Sequence, residues 1–248
     1  TRKESSAASD VYKRQSGKGS RLKSLTRNKP KCLIKIRGKT IIERILENSN
    51  FFKKTILVTG YKSSILEKKF PGHLIIKNQD FNKSNMVHSL FKTVKHIKND
   101  VVVSYADILY HPDILKRLIK QNQTCIALNK NWKKHWKKRM TNNKIYNDAE
   151  NVIIKNKRII EIGTKIKDKL PDYQFMGIVM IKKNDFFTMH KFYKSLKNIK
   201  IDFTSFLNLF IKHKNKGIKM IGTTKYWYEV DNQKDFKVAK NSSVLKKY

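Results

Sequence analysis

The chain has 248 residues, 39% of them hydrophobic and 10% aromatic, which is enough to bury a sizeable core and argues against a disordered or fibrous protein. No apolar run approaches the roughly 20 residues of a membrane-spanning helix, and the N-terminal stretch lacks the apolar segment of a secretory signal, so the expected compartment is the cytoplasm. A formal net charge of +37 invites polyanions, but the lysines are spread through nearly every segment beside Asn and Ile, so a basic nucleic-acid-binding protein stands as a rival reading only.

Taken in chain order, the first 16 residues, TRKESSAASDVYKRQS, are polar and do not read as a buried strand. They are expected to be a disordered tail, or foreign sequence standing where an apolar strand before Gly17 has been lost; a single domain is expected over 17–248. From residue 33 onward, β-rich runs alternate with helical patterns, the signature of βαβ units and a largely parallel sheet. Strands are expected at 55–59, 74–77, 101–104 and 124–128. Helices are expected at 84–96 and 112–121, the latter opened by Pro112. Two further strands, 152–155 and 158–162, flank Asn156-Lys157 and suggest a two-residue hairpin. Strands at 175–181, 218–222 and 228–230 and helices at 185–196, 203–213 and 233–240 complete the reading. Cys32 and Cys125 are far apart without ligand spacing, so neither a disulfide framework nor a zinc site is expected.

The chemistry concentrates in SGKGSRLKSLTRNKPKCLIKIRGKTIIERIL, residues 16–46. Gly17 and Gly19 allow main-chain N–H groups to approach phosphate oxygens. Arg21 is suited to gripping two phosphate oxygens, and Lys31 to placing a compact charge over an α-phosphate. Asp107 follows the apolar strand at 101–103, at the carboxyl end where open α/β sheets place ligands, and Asp231 follows a second short strand; taken alone, each equally suits a turn or helix cap. Trp132, Trp136, Tyr173, Tyr226 and Trp227 are candidates for walls around a cationic group, with core packing as the plain alternative. Asp148 and Glu150 would suit a primary ammonium. Arg139 would hold an acceptor phosphate, or form a surface ion pair with Asp148 or Glu150.

These residues carry a family resemblance. Gly17, Gly19, Arg21, Leu25, Thr26, Pro30, Lys31, Leu33, Gly38 and Lys39 resemble the opening pattern A-G-x-G-x-R-L-x-x-L-T, P-K-x-L, G-K of the nucleotidyltransferases that make nucleotide sugars and related conjugates. NQDFNKSNMVHSL, with Asn78, Asn85, Ser89 and Leu90, resembles a stretch of the phosphocholine cytidylyltransferase branch. NWKKHWKKRMTNNKIYNDAE resembles the W-x-x-x-W-x-x-R and D-A-E of phosphocholine and aminoethylphosphonate cytidylyltransferases. Gln15 and Ser16 stand where the pattern has Ala-Ala.

The resemblance implies a three-layer, Rossmann-like α/β fold of the nucleotide-diphospho-sugar transferase type, with a mixed, mostly parallel sheet. It implies transfer of a nucleoside monophosphate, CTP being the expected donor, to a small phospho- or phosphono-acceptor with release of pyrophosphate. Arg21, Lys31 and Asp107 would be catalytic. Gly17, Lys18, Gly19, Ser20, Asn78, Asn85 and Ser89 would bind the nucleotide. Trp132, Trp136, Arg139, Asp148, Glu150 and Trp227 would bind the acceptor, with phosphocholine and 2-aminoethylphosphonate equally placed. Asp107 and Asp231 would hold Mg2+, because two anionic reactants about 4 Å apart repel by roughly 4 kcal/mol at an effective dielectric near 20. A sugar-1-phosphate nucleotidyltransferase and an inactive fragment are the remaining rivals.

Overall fold

The computed structural model describes the main chain of residues 10–15 and 20–246 and the side chains of residues 21–245. Nine strands form the main sheet: β1 (Asp10–Gln15), β2 (Lys54–Thr59), β3 (Leu74–Lys77), β4 (Val101–Tyr105), β5 (Cys125–Asn129), β6 (Glu150–Lys155), β7 (Arg158–Lys165), β8 (Gln174–Ile181) and β9 (Ile218–Thr223). Their spatial order is β3-β2-β1-β4-β8-β5-β9-β7-β6. The first four are parallel, β8 runs against both β4 and β5, and β5 and β9 are parallel again. The 3-2-1-4 half matches the mononucleotide-binding half of doubly wound folds, whose ligand crevice lies outside the carboxyl ends of the strands.

Alternation along the central strands creates two cores. In β4, Val102 faces one side of the sheet while Val101 and Val103 face the other; in β8, Met176, Ile178 and Met180 oppose Phe175, Val179 and Ile181. The first face packs against the helices Ile41–Glu47, Asp113–Ile119 and Gln233–Asn241, through Ile41, Ile45, Leu115, Leu118 and Ala239. The second packs against Met86–Phe91, Lys183–Leu196 and Phe203–Lys214, through Leu90, Phe186, Met189 and Phe206. Burial on both faces explains why these strands read as continuous apolar runs.

Two expectations change. The polar segment 10–15, not expected to supply a strand, has its main chain as β1 between β2 and β4. Pairing on both edges answers its N–H and C=O groups whatever its side-chain chemistry. The single helix expected at 84–96 is instead Met86–Phe91 followed by a 3-10 turn, Val94–His96. Thr93 Oγ1 donates to Leu90 O at 2.6 Å, offering that carbonyl a local partner at the point where the α-helix stops. The hairpin at Asn156-Lys157 has the positive φ values of +50° and +59° that a type I′ turn demands. Cys32 and Cys125 are buried and neither is in a disulfide. No helix among the described residues is long and apolar enough to cross a membrane.

Candidate functional site

A small antiparallel pairing outside the main sheet assembles the site. The short strand Ile108–Tyr110, just beyond β4, pairs with Trp227–Glu229, placing Ile108 opposite Glu229. Val230 N–H then donates to Asp107 O at 3.0 Å, so two aspartates 124 positions apart in sequence emerge side by side (107 and 231). Between them sits Lys31, in the 3-10 turn Lys31–Leu33 that follows Pro30. Its Nζ donates to Asp107 Oδ2 at 2.8 Å and to Asp231 Oδ1. Arg21, from the 3-10 segment Ser20–Thr26, approaches Asp231 Oδ1 at 3.9 Å while its own side chain remains 71% exposed.

Burial works against the Lys31 ammonium, yet Asp107 and Asp231 together outweigh it and raise its pKa. Burial likewise works against the Asp231 carboxylate, and Lys31, then Arg21 and Arg139, reverse that and hold its pKa below the usual value. The charges of Lys31 and Asp231 are therefore maintained by their neighbours.

A cavity of about 490 Å³ opens beside the cluster. Arg21, Asp231, Glu229, Arg139 and Trp136 line it, together with Lys144, Asp148, Glu150, Asp202 and Thr204, and Tyr105, Phe175 and Phe203 supply aromatic wall. Glu150 accepts from Thr204 Oγ1 at 2.8 Å, and burial raises its pKa. Among the described residues, Asp148, Glu150 and Asp202 make no ion pair with a Lys or Arg, although the chain carries 56 Lys and Arg against 19 Asp and Glu. At Gly177 the φ of +76° lies at an irregularity in the β8 pairing, and a Cβ there would stand 2.7 Å from the Tyr105 ring.

The structure brings Arg21, Lys31, Asp107 and Asp231 together and places Trp136, Arg139, Asp148 and Glu150 on the cavity. Other expected positions differ. Trp132 is fully buried and donates to Pro171 O at 3.1 Å; Trp227 is 1% exposed and donates to Met176 O at 3.1 Å. Both are core residues rather than acceptor walls, as the four-residue spacing of Trp132 and Trp136 on a helix permits. Their rings frame Trp136, at 5.2 Å and 6.5 Å between centroids. Arg139 pairs with Glu229 (2.6 Å) and Asp235 (3.0 Å), not with Asp148 or Glu150.

Asn78, Asn85 and Ser89 do not line the cavity. Asn78 Nδ2 donates to Ser84 Oγ and Ser89 Oγ, and its Oδ1 accepts from Asp80 N–H. Asn85 caps the following helix by accepting from Met86 N–H and donates to Lys200 O. Their side chains hold the 78–85 loop, which delivers Met86 to the cavity. Gly17, Lys18 and Gly19 lie outside the described residues, and Ser20 is described in its main chain alone. Tyr226 packs on His111 with 5.5 Å between centroids, and Tyr173 lines a separate depression with Arg117 and Lys130.

Several cavity residues escaped sequence reasoning. Asp202 is the N-cap of the helix Phe203–Lys214, accepting from Ser205 N–H at 2.8 Å, which a D-x-x-S pattern before an apolar run signals. Tyr105, Phe175 and Gly177 come from core strands whose alternation marks them only as buried or exposed, and no local signal separates cavity from core.

Among the described residues, no group of three or more His, Cys, Asp and Glu side chains converges as a metal site. Asp107 and Asp231, facing one another through a single ammonium, form a two-carboxylate donor set. That set fits a hard cation which takes the rest of its shell from phosphate oxygens and water.

A family profile, the MobA-like NTP transferase domain, matches residues 16–152. A CTP:phosphoglutamine cytidylyltransferase of Campylobacter jejuni is 31% identical, the match covering 90% of this chain and 95% of that protein. The inositol-1-phosphate CTP transferase structure from T. maritima superposes with a TM-score of 0.78 at 18% identity, over 95% of this chain and 96% of the other. The CTP:phosphocholine cytidylyltransferase structure from Streptococcus pneumoniae gives 0.69 at 17%, over 94% and 98%. These two likenesses carry the fold.

Proposed function

The chain belongs to the MobA-like NTP transferase family, a family of nucleotidyltransferases, and from that premise we propose that it transfers CMP from CTP to a small acceptor bearing both a phosphate or phosphonate and an ammonium group. The observation that carries the reading is the Lys31 ammonium held between Asp107 and Asp231 beside a cavity that also presents carboxylates without an ion pair. CTP is favoured by the 31% identical relative, whose name specifies that nucleotide.

In this reading an acceptor oxygen attacks the α-phosphorus of CTP, the new O–P bond forms as the bond to the β-phosphate oxygen breaks, and pyrophosphate leaves. No protein nucleophile is required, so the chain contributes position and charge. Lys31 turns its ammonium toward the α-phosphate, where negative charge builds during transfer. Arg21, exposed and beside Asp231, grips the outer phosphates. Asp107 and Asp231 would hold Mg2+, which when bound supplies positive charge to the triphosphate. Trp136 and the aromatic wall exclude water from the acceptor side, and Glu150, Asp148 and Asp202 receive the acceptor's ammonium.

Glu150 weighs the acceptor classes. It is half-buried, has its pKa raised by burial and makes no ion pair among the described residues, so a primary ammonium able to donate hydrogen bonds answers it better than a quaternary one. Amino-alkyl phosphonates and phosphorylated amino compounds of the phosphoglutamine kind thus stand ahead of phosphocholine.

A matrix of nucleoside triphosphates against phosphocholine, aminoethylphosphonate, phosphoglutamine and sugar 1-phosphates, read by pyrophosphate release, tests the proposal. Release is expected with CTP and a primary-amine acceptor. Turnover confined to UTP or dTTP with a sugar phosphate would replace it with the sugar-nucleotide reading. Salt-sensitive nucleic acid binding without turnover would replace both.

A further inference from the structure

Arg139, expected to face the acceptor, lines the cavity, yet its guanidinium is already engaged by acidic side chains of the protein. Its side chain is only 5% exposed. The guanidinium carbon lies 4.8 Å from the centroid of the Trp136 ring. NH2 meets Glu229 Oε2 at 2.6 Å, and NH1 meets Asp235 Oδ1 at 3.0 Å. Asp235, fully buried in its side chain, uses its other oxygen to accept main-chain N–H groups from Asp231 (2.9 Å) and Asn232 (3.1 Å).

An ordinary helix start explains part of this. Asn232 and Asp235 form a reciprocal capping box at the head of the helix Gln233–Asn241, in which the side chain at the third helical position reaches back to the cap's N–H. Two features exceed that device. Asp235 also takes the N–H of Asp231 itself, one residue before the cap, and its remaining oxygen is held by a cation from a different segment of the chain. Asp231 is thus fixed from behind through its main chain, while its carboxylate is free to face Lys31.

We propose that Arg139 and Asp235 are positioning residues for Asp231, and that Arg139 couples this carboxylate to the acceptor wall through Trp136. The inference rests on the reading in which Asp107 and Asp231 hold a divalent cation. The chain runs Trp136 ring, Arg139 guanidinium, Asp235 carboxylate, Asp231 main chain, so the wall that receives the acceptor and the ligand that receives the cation are set by one buried network. The guanidinium hydrogen-bonds Glu229 and meets Asp235 Oδ1 as a close ion pair; buried ion pairs hold their partners in place because either one alone is costly to leave unmatched. Glu229, on the same guanidinium, anchors the strand that leads into Asp231.

The test uses Mn2+ as the probe cation, its binding followed by electron paramagnetic resonance on the full chain with a non-hydrolysable CTP analogue, alongside steady-state kinetics. Asp235→Asn keeps the shape of the side chain but turns a donor toward Arg139; Arg139→Lys keeps the charge but loses the planar fork that meets two carboxylates at once. Each is expected to weaken Mn2+ binding by about tenfold and lower kcat to match, with KM for CTP at saturating metal changed little, as for partners behind a ligating group. Arg139→Gln is expected to lose more than Arg139→Lys. Melting temperatures fix the working range, so that binding is measured on folded protein.

If Asp235→Asn and Arg139→Lys bind Mn2+ as tightly as the parent, the inference fails while the cation reading stands. If the variants raise the acceptor KM alone, Arg139 contacts the acceptor directly and the inference is again overturned. If the parent binds no Mn2+, or Asp107→Asn and Asp231→Asn bind it unchanged, the cation reading itself falls and takes this inference with it.

Discussion

Two charged clusters at the cavity treat charge in opposite ways. Around Lys31 every ionic group already has its counter-ion: one ammonium serves two carboxylates, and Arg21 stands beside the second. Around Glu150, three carboxylates lie together with a threonine hydroxyl and no ion pair, in a chain where cations outnumber anions nearly threefold. Lys144 lines the same cavity, yet none of the three acids is ion-paired with it among the described residues. The first cluster must exchange a partner to work; the second must gain one.

That contrast predicts graded losses. Asp107→Asn removes charge from the pre-paired cluster and is expected to lower turnover by about 10³-fold, the scale for losing preorganised electrostatic stabilisation. Asp107 is partly exposed, so thermal stability should move by no more than about 0.5 kcal/mol. Full activity in a folded Asp107→Asn protein would sink the assignment. Lys31→Gln should cost about 10²-fold in turnover, somewhat less because Arg21 and the cation still neutralise the triphosphate. Stopped-flow measurement of a single turnover separates this loss from slowed product release.

At the other cluster the expected effects act on binding and on the wall. Gly177→Ala forces a side chain into a φ of +76° and against the Tyr105 ring, with a destabilisation of about 1–3 kcal/mol readable by chemical denaturation. Glu150→Gln should raise KM for an ammonium-bearing acceptor about tenfold, the worth of one charge-assisted hydrogen bond, and leave KM for CTP unchanged. An equal rise in both constants would dissolve the distinction between the two clusters.

How much of this the sequence disclosed follows from the range of the interactions involved. Strands buried on both faces, such as Val101–Tyr105 and Gln174–Ile181, announce themselves by apolar run length, and the Asn156-Lys157 turn by its position between two such runs. The helix Ile41–Glu47 carries an equally local mark, since Thr40 and Glu43 form a capping box four residues long. The site was half legible. Asp107, Asp231 and Lys31 could be nominated from strand ends and a family pattern, whereas their convergence depends on the pairing of Ile108–Tyr110 with Trp227–Glu229 across more than a hundred residues. Trp132 and Trp227 misled because an aromatic residue lining a cavity and one filling the core beneath it carry the same local signature. Arg139 misled for a related reason: its partners Glu229 and Asp235 are some 90 positions away, while Asp148 and Glu150 are close in sequence. Sequence proximity overvalued the nearer acids.

The smallest expected effect is also the sharpest discriminator, because pre-paired and waiting carboxylates should respond to pH with opposite signs. Glu43 serves as the pre-paired reference outside the cavity: its Oε1 meets Lys69 Nζ at 2.7 Å, and its Oε2 accepts from Thr40 N–H at 2.7 Å. The bond to Lys69, with the Thr40 contacts, lowers its pKa to about 2 from an ordinary 4.5. The stability it contributes is therefore complete above 4.5 and fades as pH falls toward 2. For so exposed a pair the contribution is about 1 kcal/mol or less. Glu150 has its pKa raised by burial, so the folded state binds its proton more tightly than the unfolded chain does. Its contribution is complete below 4.5 and is lost as pH rises through the folded value. Melting temperatures of Glu43→Gln and Glu150→Gln against the parent from pH 7 to 3 test both statements. The deficit of Glu43→Gln should shrink toward acid, while the advantage of Glu150→Gln should grow toward neutrality and diminish when an ammonium-bearing acceptor is added. Parallel slopes for the two variants would mean that Glu150 already has a cationic partner, and the acceptor cluster would lose its claim to be waiting for one.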